Sequence, residues 1–276
     1  MQDLESRLAQ FRRQHSSVLD RWVRTRKREL IDLLPGSPRA ASITRDLDEF
    51  VNRSAVGAFV ADHVVQRLPQ PVPGRPQRVL EICAGTGWLS RRLSWHPALR
   101  ERRERGEVCL VASDLHTVGG DAGPSTAWCS ADALRLPFAD QSFDLLICAH
   151  AIHHFEADAA ARLLGEAVRV ARRVSIFDLR RTVYGVAMVG LIAPGYSLDF
   201  LHDAVVSHRR AYSLQEMRFL IDQVGLPLRV SKFLSFGMMI DSLEPSMPIG
   251  AVVVGEPRRP ALQTAMRMNR STSTRP

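Results

Sequence analysis

Residues 79–90 read VLEICAGTGWLS, and the reading of this stretch decides the fold. A short apolar run stops at Glu81, passes through a small-residue turn holding Gly85 and Gly87, and becomes helix-like from Trp88 onward. Apolar residues in an unbroken run, followed at once by a turn and a helical pattern, predict a buried strand feeding a helix.

Working outward, the same alternation repeats. The pattern predicts strands at 78–83, 108–113, 142–149 and 174–179, with helices over 88–99 and 158–171. Continuous apolar strands separated by helices imply an α/β fold with a parallel sheet covered on both faces. Further on, Ser213-Leu-Gln-Glu216 is a capping box that opens a helix, and Gly225 with Pro227 closes it. Late strands are expected near 228–233 and 251–255. The apolar run 183–194 predicts a helix packed beside the acceptor pocket and is too short to span a membrane.

Before the alternation begins, one long helix is expected over 3–34 and a second over 45–68, each with an apolar stripe. The prolines of residues 69–76 form a stiff linker. The expected organisation is therefore an N-terminal helical extension (1–68) acting as lid or packing element, a linker (69–77), one α/β domain (78–256) and a disordered basic tail (257–276).

Of the 276 residues, 45% are hydrophobic, and no run of about 18 uncharged apolar residues occurs. With no signal-peptide core either, the expected location is cytoplasmic. The four cysteines show no CxxC pairing, so neither disulfide nor zinc is expected from their spacing. The formal charge of +8 lies largely in the first helix and the tail. It brings no RNA-binding motif or interleaved aromatics, and nucleic acid is not the expected partner.

The glycine turn sits where a parallel sheet binds ligands, at the carboxyl end of a strand. A phosphate site is the first rival reading, but the turn lacks the Lys-Ser/Thr of a P-loop and the third glycine of a dinucleotide fingerprint. Glu81 beside it would repel a pyrophosphate and suits an ammonium group. Asp114, ending the next strand in CLVASDLH, is placed to accept from both hydroxyls of a ribose, and Asp132-Ala133 in SADALRLPF to receive an adenine amino group. Ammonium, ribose and adenine together describe S-adenosylmethionine.

The motifs VLEICAGTG, SDLH, ADALRLPFADQSFDLLICAHAIHHF and SIFDL resemble, in order, those of class I S-adenosylmethionine-dependent methyltransferases. The similarity spans roughly residues 45–255 and is greatest to the small-molecule branch that includes the ubiquinone/menaquinone-biosynthesis type. FDLRR and HDAVVSHRRAYSLQE also resemble bacterial methyltransferases of natural-product gene neighbourhoods. The resemblance implies a Rossmann-like, seven-stranded, mostly parallel sheet with helices on both faces beside the N-terminal helical extension. It also implies that Glu81, Gly85 and Gly87, with Cys83 and Ala84 in the same turn, cradle the methionine part. By the same resemblance Asp114 and Leu115 would hold the ribose, Asp132 and Ala133 the adenine, and His150 would lie beside the reacting methyl. Two departures stand out: Cys83 occupies the position of the usual first glycine, and the stretch between Asp114 and Asp132 is short and glycine-rich.

His153 and His154 are candidates for a base. His202, Asp203, Ser207, Arg210 and Tyr212 are candidates for contact with a small-molecule acceptor, a phenol, quinol or polyketide-like compound. Arg180 and Arg181 read either as surface charge or as a grip on an acidic acceptor. No metal is expected. A non-catalytic binding module and an RNA methyltransferase are the competing readings.

Overall fold

The structure, a computed structural model, describes residues 3–72, 74–115, 122–123, 126–192 and 194–243. Its centre is a seven-stranded sheet in the order β3-β2-β1-β4-β5-β7-β6. The strands are β1 (Gln77–Glu81), β2 (Val108–Asp114), β3 (Thr126–Ser130), β4 (Leu145–Ala149), β5 (Val174–Leu179), β6 (Leu228–Phe233) and β7 (Gly237–Ser242). Strands β1 to β5 pair in parallel, and β7 runs antiparallel to both β5 and β6. This is the expected Rossmann-like arrangement, mostly parallel and with helices on both faces.

The faces follow from the alternation of side chains along each strand. Val79 of β1, Leu145 and Ile147 of β4, Phe177 of β5 and Met239 of β7 point to one side. There they pack on α5 (Ala55–Arg67) and α6 (Trp88–Ser94) through Val60, Val64, Leu89 and Leu93. Leu80, Leu146, Ile176 and Ile240 point to the other. They meet α8 (Ala157–Val170), α11 (Leu214–Val224) and the Leu4–Leu8 side of α1 (Leu4–His15). The capping box forms as expected, Ser213 accepting from the Glu216 amide while the Glu216 carboxylate accepts from the Ser213 amide. Two further helices, α9 (Val183–Ile192) and α10 (Leu198–Arg210), lie between β5 and α11.

The N-terminal extension departs from two long helices. It forms α1, α2 (Val18–Val23), α3 (Leu30–Leu33) and α4 (Pro38–Arg53) before α5. Ser16 and Ser17 break the first helix, because both sit in extended backbone and the Ser17 hydroxyl accepts from the Asp20 amide to start a new one. The apolar stripe changes meaning there: Leu4 and Leu8 are buried, whereas Val18, Leu19 and Trp22 are exposed. The second helix starts earlier than expected, at Pro38, where Ser37 caps and the proline occupies the first turn, and Ser54 divides it. The helix expected over 88–99 also divides, with Pro97 opening α7 (Pro97–Glu104).

Two strands escaped the sequence. β3 lies in the glycine-rich stretch, and β7 lies at 237–242, where no strand was expected, while a late strand was expected near 251–255. That expected strand, the end of the α/β domain at 256 and the basic tail at 257–276 lie outside the described residues. Among the described residues no helix is long and apolar enough to cross a membrane.

Candidate functional site

β1 is flanked by β2 and β4, and its register places Glu81 opposite Ala112 of one neighbour and Ile147 of the other. The chain leaves the sheet there as a tight turn. Ala84 donates its amide to Ser113 O (3.0 Å), and Gly85 donates to Asp114 Oδ2 (2.9 Å), so the turn leans on the tip of β2. Asp114 O in turn accepts from the Ala131 amide (2.9 Å), which brings the Asp132–Ala133 loop to the same edge. The residues predicted at three separate strand tips are therefore neighbours.

Three backbones in this turn are left-handed: Cys83 (φ 51°), Gly85 (φ 54°) and Gly87 (φ 75°). The two glycines serve different ends. A Cβ at Gly85 would meet no atom within 4 Å, so the turn presents bare backbone to open space. A Cβ at Gly87 would lie 2.7 Å from Trp128 Cζ2 and 2.9 Å from Ala122 Cβ. At Gly87 the packing of β3 and Ala122 leaves no room for a side chain. Cys83 adopts a conformation that costs an L-residue roughly 1–2 kcal/mol, and its thiol adjoins that of Cys148.

Glu81 is 2% exposed. Its Oε2 accepts from the Ser90 amide (2.9 Å) and so caps the first turn of α6 from across the loop. Burial pushes its pKa up to about 7, against the pull of the Ser90 amide, and the charge of Asp114 adds to the rise. A cation arriving beside it would reverse that shift. Asp132 is exposed and accepts from the Leu134 amide (2.9 Å), Ala133 is buried, and Leu115 is exposed.

His150 follows β4 with φ 56°. Its ring packs edge-on to Phe177 (centroids 4.8 Å) and near Trp88 (6.1 Å). Burial lowers its pKa to about 4, so the imidazole is neutral near pH 7, and its buried Nε2 has no hydrogen-bond partner in the protein. An orphaned polar atom at a strand tip, beside an open backbone and a destabilised carboxylate, fits a polar ligand with a cationic end.

The two histidines of the turn after β4 are engaged. His153 is 4% exposed and lies between two acids: Nδ1 is 2.6 Å from Asp178 Oδ1, and Nε2 is 3.5 Å from Glu29 Oε1. Burial opposes its charge, but Asp178 and Glu29 outweigh burial and raise its pKa to about 10. An imidazole that keeps its proton to that pH does not serve as a base near neutrality. His154 pairs through Nδ1 with Asp32 (3.0 Å).

The candidate acceptor-binding residues lie on α10 and just after it, and most of their polar atoms are spent on the N-terminal extension or on nearby backbone. Asp203 accepts from the amides of Leu30 (2.7 Å) and Ile31 (3.0 Å), capping α3. Ser207 donates to Asp203 O, Arg210 to Asp32 and His154 O, and Tyr212 to Phe155 O. His202, half exposed, pairs with Asp203. Arg181 is no surface charge: 3% exposed, it bridges Asp20 (2.8 Å) and Glu216 (2.7 Å). Arg180 donates to Ser235 O.

Sequence reasoning missed Asp48, Thr86, Arg91 and Trp128. Asp48 of α4 accepts from the Thr86 hydroxyl (2.7 Å) and pairs with Arg91 (2.7 Å), so the N-terminal extension grips the turn itself. Helix α10 lies against α3, α4 and α9 and against the short turn at 152–154 that follows β4.

Residues 79–173 match the methyltransferase domain family. No curated protein matches the sequence. Among solved structures the chain is similar to the plantazolicin methyltransferase BpumL in complex with SAH, at 11% identity over 86% of this chain and 100% of that one, with a TM-score of 0.57. It is also similar to a SAM-dependent methyltransferase from Aquifex aeolicus (13% identity, 72% and 97% covered, TM-score 0.48). A third is a Haloferax volcanii putative methyltransferase in complex with the Trm112 activator (14% identity, 79% and 98% covered, TM-score 0.48).

Proposed function

We propose that this chain, whose residues 79–173 match a methyltransferase domain, transfers a methyl group from S-adenosylmethionine to a small-molecule acceptor, a phenol or quinol of the kind handled by the ubiquinone-type branch or by natural-product methyltransferases. The observation that carries the reading is the pair of acids at neighbouring strand tips on either end of one turn, Asp114 accepting from the Gly85 amide and Glu81 from the Ser90 amide. In it, Glu81 and the open backbone at Gly85 hold the amino-acid end of the donor. Asp114 takes the ribose, Asp132 and Ala133 the adenine, and His150 borders the methyl.

The donor supplies a methyl already activated on its sulfonium. What remains for the protein is to align the acceptor and to exclude water, which can account for much of the acceleration. The packing of α10 on α3, α4 and the turn after β4 favours a small acceptor over a polymer, and the apolar α9 beside α10 favours one with an aromatic body. With His153 held by two acids, the acceptor hydroxyl is assigned no base there; a phenol, acidic in its own right, needs little help.

Calorimetry with S-adenosylmethionine tests the donor site: Asp114→Ala is expected to weaken binding more than tenfold with the far-ultraviolet spectrum unchanged. Equal affinity in the variant removes the ribose role. Transfer of labelled methyl to a panel of phenols and quinols, against RNA as the opposing arm, tests the acceptor class. Label found only in RNA overturns it.

A further inference from the structure

We infer that Glu29, His153 and His154 form a binding site for one divalent transition-metal ion of the zinc type, joining the N-terminal extension to the tip of β4. One ligand atom from each of the three lies within 4.8 Å of the others. Glu29 comes from the segment just before α3, and the two histidines from the short turn after β4.

The orientation of the rings carries the argument. Asp178 accepts at His153 Nδ1 (2.6 Å) and Asp32 lies at His154 Nδ1 (3.0 Å). Each carboxylate fixes its ring so that Nε2 turns inward, to 3.5 Å and 3.8 Å from the two oxygens of Glu29. Carboxylates behind ligating histidines are the outer support that metal sites use to set tautomer and direction. Ligands about 2.0–2.2 Å from a tetrahedral ion lie roughly 3.3–3.6 Å apart, so the shorter of these separations matches a ligand-to-ligand edge.

The burial of Glu29 also points to an occupant. Glu29 is 4% exposed, and the nearest donor to its buried Oε1 is His153 Nε2 at 3.5 Å, too long for a well-formed hydrogen bond. Such an oxygen is costly to leave unmatched. The charge count agrees. Three carboxylates, Glu29, Asp32 and Asp178, surround the two rings; Arg210 (3.4 Å) and Arg28 act on Asp32, which leaves Glu29 and Asp178 uncompensated when both imidazoles are neutral. One divalent cation offsets them; protons on the two rings are the competing way to do so. Two imidazoles and one carboxylate are a ligand set that zinc accepts, with the fourth position taken by water. The sequence hid the site because its ligands lie more than a hundred residues apart and form no spaced motif.

The test uses tag-free, full-length protein stripped with a chelator and titrated with Co²⁺ alone, then with Zn²⁺. Expected are one equivalent of Co²⁺ with visible absorption typical of a four-coordinate site, its displacement by Zn²⁺, and at least tenfold weaker uptake in both Glu29→Gln and His154→Gln. His154 is partly exposed, so its variant is the less demanding on folding. The unsubstituted chain decides the matter even if both variants unfold: substoichiometric uptake overturns the site, as does uptake that both folded variants retain in full. Neither readout involves the methyl donor, so failure here leaves the methyltransferase reading untouched, and the reverse also holds.

Discussion

Two acidic regions sit at the carboxyl edge of the same sheet, and they are satisfied to different degrees. At the tips of β1 and β2, Glu81 is buried with its pKa pushed up to about 7, His150 has an orphaned nitrogen and Cys83 is held left-handed. Beyond β5, the acids Asp20 and Glu216 meet Arg181 at ordinary ion-pair distances. The first region keeps its groups in unfavourable states that a ligand would relieve. The second uses equally polar groups to fasten helices. Charge and burial alone do not mark a site; incomplete satisfaction does.

The largest expected effect lies in the satisfied region. Arg181→Ala removes the cation shared by Glu216 and Asp20; Arg12 still meets Glu216 at 2.6 Å, so the loss is expected at the low end for a broken buried network, about 3 kcal/mol. A fall in the urea midpoint checks it; a shift equivalent to less than about 1 kcal/mol would place Arg181 with ordinary surface charges.

Within the turn, the two glycines separate packing from ligand approach. Gly87→Ala forces a Cβ onto Trp128 and is expected to destabilise the fold by about 2–3 kcal/mol. Gly85→Ala meets no neighbour and is expected to cost only the left-handed strain of about 1 kcal/mol, while weakening donor binding out of proportion. Melting curves and calorimetry on the pair decide; the opposite pattern would exchange the two roles.

Glu81→Gln tests the idea of a poised group through its pH dependence. Because the folded-state pKa lies above the ordinary value of 4.5, the folded chain retains a proton that the unfolded chain releases, and stability falls as pH rises from about 4.5 through 7. Glutamine has no such loss. The variant is expected to be more stable than the parent by about 1–3 kcal/mol at pH 8, with the gap closing near pH 4.5, and to bind the donor less well. An equal melting shift at both pH values would show that Glu81 acts only as a cap for α6.

The sequence carried the β1 turn and the Asp114 tip because their signal is local: an apolar run, small residues and an acid lie within a dozen positions. It did not carry β3, whose residues are half-buried at a sheet edge without clear alternation. Nor did it carry β7, where Asp241 sits in a buried strand only because His63, Arg67 and Ser175 reach it from elsewhere. Asp203 and Arg210 looked free to meet an acceptor because their partners, the α3 amides and Asp32, lie more than 170 residues away along the chain. Polar residues announce themselves in sequence; whether they are already occupied is a property of the folded chain.

The contact of Asp48 with Thr86 and Arg91 bears on how this protein can be taken apart. A cassette trimmed at the proline-rich segment would keep every recognisable motif and lose the outer brace of its own donor loop. The portable unit for swaps between relatives is therefore longer than its signature motifs, and begins no later than the helix that holds Asp48.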